Sequence, residues 1–246
     1  MALEIQERDT RILKFVFACK VASYRQIVNR CFSERDKSAG YRRIRKLCHD
    51  GYLKPLTFTS YDTEIKYVEA TEKAWKVIRE LWSFEVDRPH FRSESPFHDI
   101  RLTELFFRFE KLKGFRAFYT ENLLQSSVAL AKEPNLADLA KIQADAALIL
   151  NGTGNRLLTF GVELEISKKT PDRYAEKLAA YYTTRKLAGV IYVCSEREIA
   201  NAIARTDAEV RGEKKSIVFL GMENKTRESE GAITLETPQG QRLELM

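Results

Sequence analysis

The chain has 246 residues, 44% hydrophobic and 31% charged, a globular balance that can bury a core and suits one large domain or two modest ones. No apolar run approaches the roughly 18–20 residues a bilayer span needs, and the N-terminal MALEIQERDTR is charged and lacks a signal-peptide apolar region, so a cytoplasmic protein with no membrane partner is expected. The net charge of +6 lies wholly in the N-terminal third: residues 1–80 hold 17 Lys+Arg against 11 Asp+Glu, and residues 81–246 hold 24 of each, as in an anion-binding module fused to a neutral one.

The first helical pattern is ERDTRILKFVFA, residues 7–18, with Ile12, Leu13, Phe15, Val16 and Phe17 on a broad apolar face. Ser23 is placed to cap a short helix running to about Arg30, with Ile27 and Val28 inward. A third helix starts near Asp36 or Lys37 and ends near Asp50, where Gly51 takes the left-handed C-terminal position. Gly40, Ile44, Leu47 and Cys48 recur at helical spacing and are expected in the core. Arg42, Arg45, Lys46 and His49 fall on the opposite face, Lys37 and Arg43 to one side and Tyr41 to the other. A solvated helix usually mixes both signs of charge, yet residues 37–49 contain no acid, and Asp36 alone opposes the basic residues from Arg35 to Lys46.

After Gly51 the period changes. Residues 52–58 and 64–69 read as strands joined by Thr59, Ser60, Tyr61, Asp62 and Thr63, and a helix of about ten residues follows from Thr71. Three helices, a two-stranded wing and a closing helix make a winged helix-turn-helix over residues 1–82, with the basic helix in the DNA major groove. Arg35, Lys37, Tyr41, Arg42, Arg43, Arg45 and Lys46 are the expected DNA contacts, joined by Ser60 and Tyr61 at the wing tip.

Residues 83–97 lack periodicity, contain two prolines and read as a linker. A helix is expected from about His98 to Lys113, then a strand over 115–124, a strand over 144–150, a turn at Asn151-Gly152-Thr153-Gly154-Asn155, and a strand over 156–166. Thr170-Pro171-Asp172 signals a helix start, with Tyr174, Leu178 and Tyr181 inward. Residues 189–194 read as a buried strand, Ser195 to Glu198 as a capping box opening another helix, 216–220 as a strand and 232–246 as a hairpin around Gly240. Residues 98–246 are thus expected to form an α/β domain on a mixed sheet.

Asp145 stands near the start of one strand, and Glu163 and Glu165 share a face of the next. Mirrored about Thr153, Asp145 faces roughly residue 161, so three carboxylates are expected to approach one another. Such oxygens suit Mg²⁺, which activates water in phosphodiester cleavage. The order Asp, hairpin, Glu-x-Glu, helix resembles the PD-(D/E)xK nuclease superfamily, with Ala144 where the family has Pro and Glu165 where it has Lys. Some restriction enzymes of that superfamily also carry Glu there. The resemblance implies catalytic roles for Asp145, Glu163, Glu165 and Lys168, with Lys177 or Tyr174 as alternative approaches to the site, and a metal held by Asp145, Glu163 and Glu104.

Over roughly residues 5–205 the chain is similar to the replication-relaxation family of plasmid and mobile-element proteins. ERDTRILKFV, the basic helix ending in HDGYL, FHDIRLTEL, ADAALIL and VELEISKKTPDRYAEKLAAYY carry the likeness. It implies a DNA-binding protein tied to plasmid replication or its control. Three functions stay open: a homodimeric regulator reading double-stranded DNA, which needs no cofactor and uses an inactive nuclease-like domain for assembly; a Mg²⁺-dependent endonuclease targeted by the winged helix; and a protein-interaction adaptor. The four cysteines form no CxxC pair and read as reduced thiols. Neither a phosphate-binding GxxxxGK[ST] loop, a GxGxxG fingerprint nor a GxSxG elbow occurs.

Overall fold

The computed structural model describes residues 4–60, 63–81, 93, 95–184, 186–226 and 232–245. It is mixed α/β, with a three-stranded and a seven-stranded sheet, and divides into two compact units. One runs through Glu104 and includes Gln125–Ala129; the other comprises Leu105–Leu124 and the chain from Leu130 onward. None of the described helices is long and apolar enough to cross a membrane.

The first unit begins with α1 (Glu7–Ala18), the strand β1 (Val21–Ser23) and α2 (Tyr24–Cys31). The expected cap is present: Ser23 Oγ accepts from the Gln26 amide and Gln26 Oε1 accepts from the Ser23 amide, satisfying two otherwise orphaned donors. A 3₁₀ turn over Glu34–Asp36 leads into α3 (Lys37–His49). Gly40, Ile44 and Leu47 are buried beneath α3, while Cys48 is only partly covered. Gly51 closes the helix at φ 76°.

β2 (Leu53–Ser60) and β3 (Thr63–Ala70) pair antiparallel over their full length, and β1 adds to the far side of β3. The strands therefore absorb Thr59, Ser60 and Thr63, expected in the turn, and Tyr61 and Asp62 lie outside the described residues. The three-residue β1 has no sequence period to betray it. α4 (Glu72–Leu81) follows, its N-terminus capped by Thr71, and Trp75 stacks on Phe17 of α1 at 5.2 Å between centroids.

Residues 83–92 and 94, the greater part of the expected linker, lie outside the described residues, as does residue 82 before it. Its last two, Pro96 and Phe97, instead open α5 (Pro96–Phe109), where proline's fixed φ suits the first turn. The unit boundary falls inside this helix rather than at 83–97. Its early residues belong to the first core: Ile100 packs with Val21 and Tyr67, and Phe97 stacks on Phe58 at 5.8 Å.

β4 (Phe115–Thr120) of the second unit gives way to α6 (Glu121–Ser126), where a continuous strand was expected; the end of α6 and the start of α7 (Val128–Ala131) belong to the first unit, and α8 (Pro134–Ile142) returns to the second. Then come β5 (Ala146–Asn151), β6 (Leu157–Glu165), α9 (Pro171–Thr183), β7 (Gly189–Cys194), α10 (Arg197–Arg211), β8 (Val218–Met222), α11 (Glu223–Thr226), β9 (Ile233–Glu236) and β10 (Arg242–Leu245). The sheet order is β10-β9-β8-β7-β6-β5-β4; β6, β7 and β8 run parallel and the remaining neighbours are antiparallel. Every residue of β7 is buried, as its unbroken GVIYVC run requires of a central parallel strand. The expected capping box at Ser195 does not form. Ser195 Oγ donates to the Ile166 carbonyl at 3.3 Å, and Glu196 takes the cap position without a side-chain bond.

Candidate nucleic-acid interface and carboxylate cluster

The basic helix presents what its spacing dictates. Burying Gly40, Ile44 and Leu47 turns Arg42, Arg45, Lys46 and His49 outward, and all four are exposed. Among the described residues Arg42, Arg45 and Lys46 make no ion pair. Arg35 is exposed in the preceding turn, and Tyr41 is half-buried beside Arg45. Lys37 is held 2.7 Å from Glu34 Oε2. Ser60 closes the β2–β3 ladder opposite Thr63, and Tyr61 lies outside the described residues.

Arg43 is a correction. Instead of facing a ligand it grips Asp9 of α1, with Nε donating to Oδ1 at 2.6 Å and Nη2 to Oδ2. Asp9 is fully buried and also accepts from the Gln6 amide at 2.8 Å, closing the start of α1. The fork is thus a bolt between α1 and α3. Arg43→Ala is expected to lower unfolding stability by about 2–3 kcal/mol, because it strands a buried carboxylate. Denaturant melts check this.

In the second unit the β5–β6 register pairs Ala146 with Val162, which places Asp145 opposite Glu163 rather than residue 161. The pivot of the hairpin is Gly154, inside a 3₁₀ turn, one residue beyond the expected centre. Asp145 Oδ2 accepts from the Leu164 amide at 2.7 Å. Gly161, Glu163 and Glu165 share the face of β6 covered by α9. A Cβ at Gly161 would lie 2.6 Å from the Tyr181 ring, so glycine here makes room for that tyrosine.

Tyr174, Lys177 and Tyr181 form one stripe of α9. The Tyr181 hydroxyl donates to Glu163 Oε1, and Lys177 Nζ lies 2.7 Å from Glu163 Oε2 and donates to the Gln143 carbonyl at 3.1 Å. Glu165 Oε1 takes Lys169 Nζ at 2.8 Å, and the Tyr174 hydroxyl accepts from the Lys169 amide at 3.1 Å. Burial pushes the Glu163 carboxyl up to about 7, with Lys177 opposing and Asp145 assisting that shift. Burial raises Glu165 as well, against the pull of Lys169. Burial lowers the Lys177 ammonium, but Glu163 and Asp145 outweigh it and leave Lys177 raised.

Of the four residues expected to act together, Asp145, Glu163 and Glu165 converge and Lys168 does not. Lys168 follows the strand and pairs with Glu198 of α10. Lys177 stands at the cluster instead. Tyr181, expected only as an inward residue of this helix, also stands there, and Lys169, next to Lys168 in the sequence, reaches Glu165. Glu104 belongs to the first unit and accepts from Gln26 Nε2 at 2.9 Å, whereas the three other carboxylates belong to the second. As placed, this set does not fit Mg²⁺. Glu163 spends its oxygens on Tyr181 and Lys177, Glu165 is neutralised by Lys169, and an ammonium close to Oε2 repels a second cation. Among the described residues no group of three His, Cys, Asp or Glu is arranged to hold a metal ion.

No family model, no curated protein and no solved structure matches the chain.

Proposed function

We propose that the chain is a DNA-binding regulator whose N-terminal unit is a winged helix-turn-helix and whose C-terminal unit is a nuclease-like domain used for assembly. The observation that carries this is the exposed, acid-free face of α3, where Arg42, Arg45, Lys46 and His49 stand together. Support comes from the order α1, β1, α2, α3, β2, β3, α4 and from the sheet order β1-β3-β2, in which a β2–β3 hairpin follows α3 as a wing would. The excess positive charge of the first third draws the module to phosphates, and a homodimer reading paired half-sites accords with the mode of such readers. Control of transcription or of plasmid replication is the role that follows. Fluorescence anisotropy with duplex DNA at rising salt tests the reading: affinity falls linearly on a log–log plot if phosphates dominate, and no binding at 50–100 mM salt sinks it.

A second reading is favoured by one observation, the meeting of Asp145, Glu163 and Lys177. This is the acid, acid and lysine set of a PD-(D/E)xK endonuclease, with the lysine moved onto the helix. Such an enzyme requires Lys177 to withdraw from Glu163 before a cation enters. Supercoiled plasmid incubated with protein and Mg²⁺ or Mn²⁺ decides: nicking lost in Asp145→Ala establishes the enzyme, and intact plasmid under both metals removes it.

A further inference from the structure

The first unit holds a groove of about 720 Å³ beside α3 that the duplex-reading face leaves unexplained. Tyr24 and Arg25 of α2, Tyr41 and Arg45 of α3, and Lys66 and Glu64 of β3, themselves an ion pair at 3.6 Å, line it together with Glu104. Ile65 and Ile100 add apolar surface. A groove serving phosphates alone gains nothing from a carboxylate, yet Glu104 is fixed there with care. Gln26 is 1% exposed, and its amide nitrogen donates to Glu104 Oε1 at 2.9 Å and to the Ile100 carbonyl at 2.8 Å. Its amide oxygen is taken by the Ser23 cap. Every strong hydrogen-bonding position of a buried side chain is thus committed, and one of those bonds holds the acid at the groove wall.

Two guanidinium groups beside the Lys66–Glu64 pair, two tyrosines, an apolar patch and the carboxylate that Gln26 orients match the parts of a nucleotide. Guanidinium and ammonium groups suit its phosphates, tyrosine and isoleucine suit the face of a base, and a carboxylate accepts from a base amino group. We propose that this groove receives an unpaired nucleotide of DNA adjoining the duplex held by α3, with preference for bases that carry an exocyclic amine over thymine. The proposal rests on the DNA-binding reading and names the kind of DNA: a duplex with a single-stranded end or a locally opened step.

The test compares a 20-base-pair duplex with the same duplex bearing a three-nucleotide tail of C or of T. The expected result is about tenfold tighter binding of the C-tailed probe than of the fully paired one, with the T tail giving little of that gain. A 2-aminopurine in the tail should lose fluorescence as it enters the groove. Glu104→Ala should remove the preference for the C tail and leave affinity for the paired duplex within about twofold, with thermal melts confirming that the variant is folded. Glu104→Gln, which keeps the side-chain shape, should also lose the discrimination between C and T. Equal affinity for tailed and paired probes overturns the proposal while leaving duplex binding standing. Failure to bind any of the probes overturns the DNA reading itself. Saturation by free dCMP at micromolar concentration, with no response to a tail, makes the groove a small-nucleotide site and overturns its assignment to DNA.

Discussion

Arg42→Ala with Arg45→Ala is expected to weaken duplex binding about a hundredfold or more at 0.1 M salt, and to flatten the salt dependence by about two units of log–log slope. Each guanidinium that neutralises a phosphate releases condensed counterions, and that release grows more favourable as salt falls. Both side chains are exposed on α3, so their removal leaves no cavity and the fold should persist. A charge-matched control is available in the second unit, where Lys113 and Arg116 are exposed: Lys113→Ala with Arg116→Ala removes the same net charge and leaves α3 intact. If that control weakens binding equally, long-range attraction accounts for the effect and α3 is not the contact. If the α3 double variant binds normally, the recognition helix has been misassigned. Competition with duplexes of varied sequence then separates base contacts from backbone contacts, since loss of a base contact relaxes discrimination at one position and loss of a phosphate contact does not.

The elements legible in advance were those with strong local chemistry. α3 was visible because it buries every third or fourth residue and ends at a glycine, and α9 because Thr170-Pro171-Asp172 can scarcely begin anything else. The strand β7 was visible as an apolar run of the right length. What was missed depends on partners distant in sequence. Leu123 and Leu124 extend the apolar character of β4, but they turn into α6, and a short apolar run carries no period to separate the two. Arg43 looked like its basic neighbours, because the buried Asp9 that claims it lies 34 residues earlier. The carboxylate cluster was found, yet its pairing was displaced because the turn holds a 3₁₀ segment and pivots on Gly154. Lys168 lies three residues past the position where the family has its lysine and pairs with Glu198 of α10, whereas Lys177, the alternative, reaches the cluster through a helix whose angle to the sheet no strand parity encodes.

Lys177→Met is expected to lower unfolding stability by about 3–5 kcal/mol at pH 8 and far less at pH 5. Glu163 is wholly buried, and Lys177 is the cation 2.7 Å from one of its oxygens. Removing the ammonium leaves that oxygen without countercharge, and the carboxyl must then be neutral in the fold or carry its charge at high cost. The direction with pH follows from protonation. With Lys177 present, burial already holds Glu163 near 7 against an ordinary value of 4.5, so between these limits the native state binds more protons than the unfolded chain. Stability from this group is therefore complete below about pH 4.5, falls as the pH rises to about 7 and is flat above, a loss on the order of 3 kcal/mol. In Lys177→Met the carboxyl rises further, so the decline continues past pH 7. Glu163→Gln keeps the hydrogen bond with Tyr181 and has no charge to bury; it should abolish the slope between pH 5 and 7 and, combined with Lys177→Met, restore most of the lost stability. Urea titrations of the four proteins at pH 5, 7 and 8 yield the coupling directly. A pH-independent loss below about 1 kcal/mol in Lys177→Met would mean that water reaches Glu163, and the cluster would then be open to a cation after all.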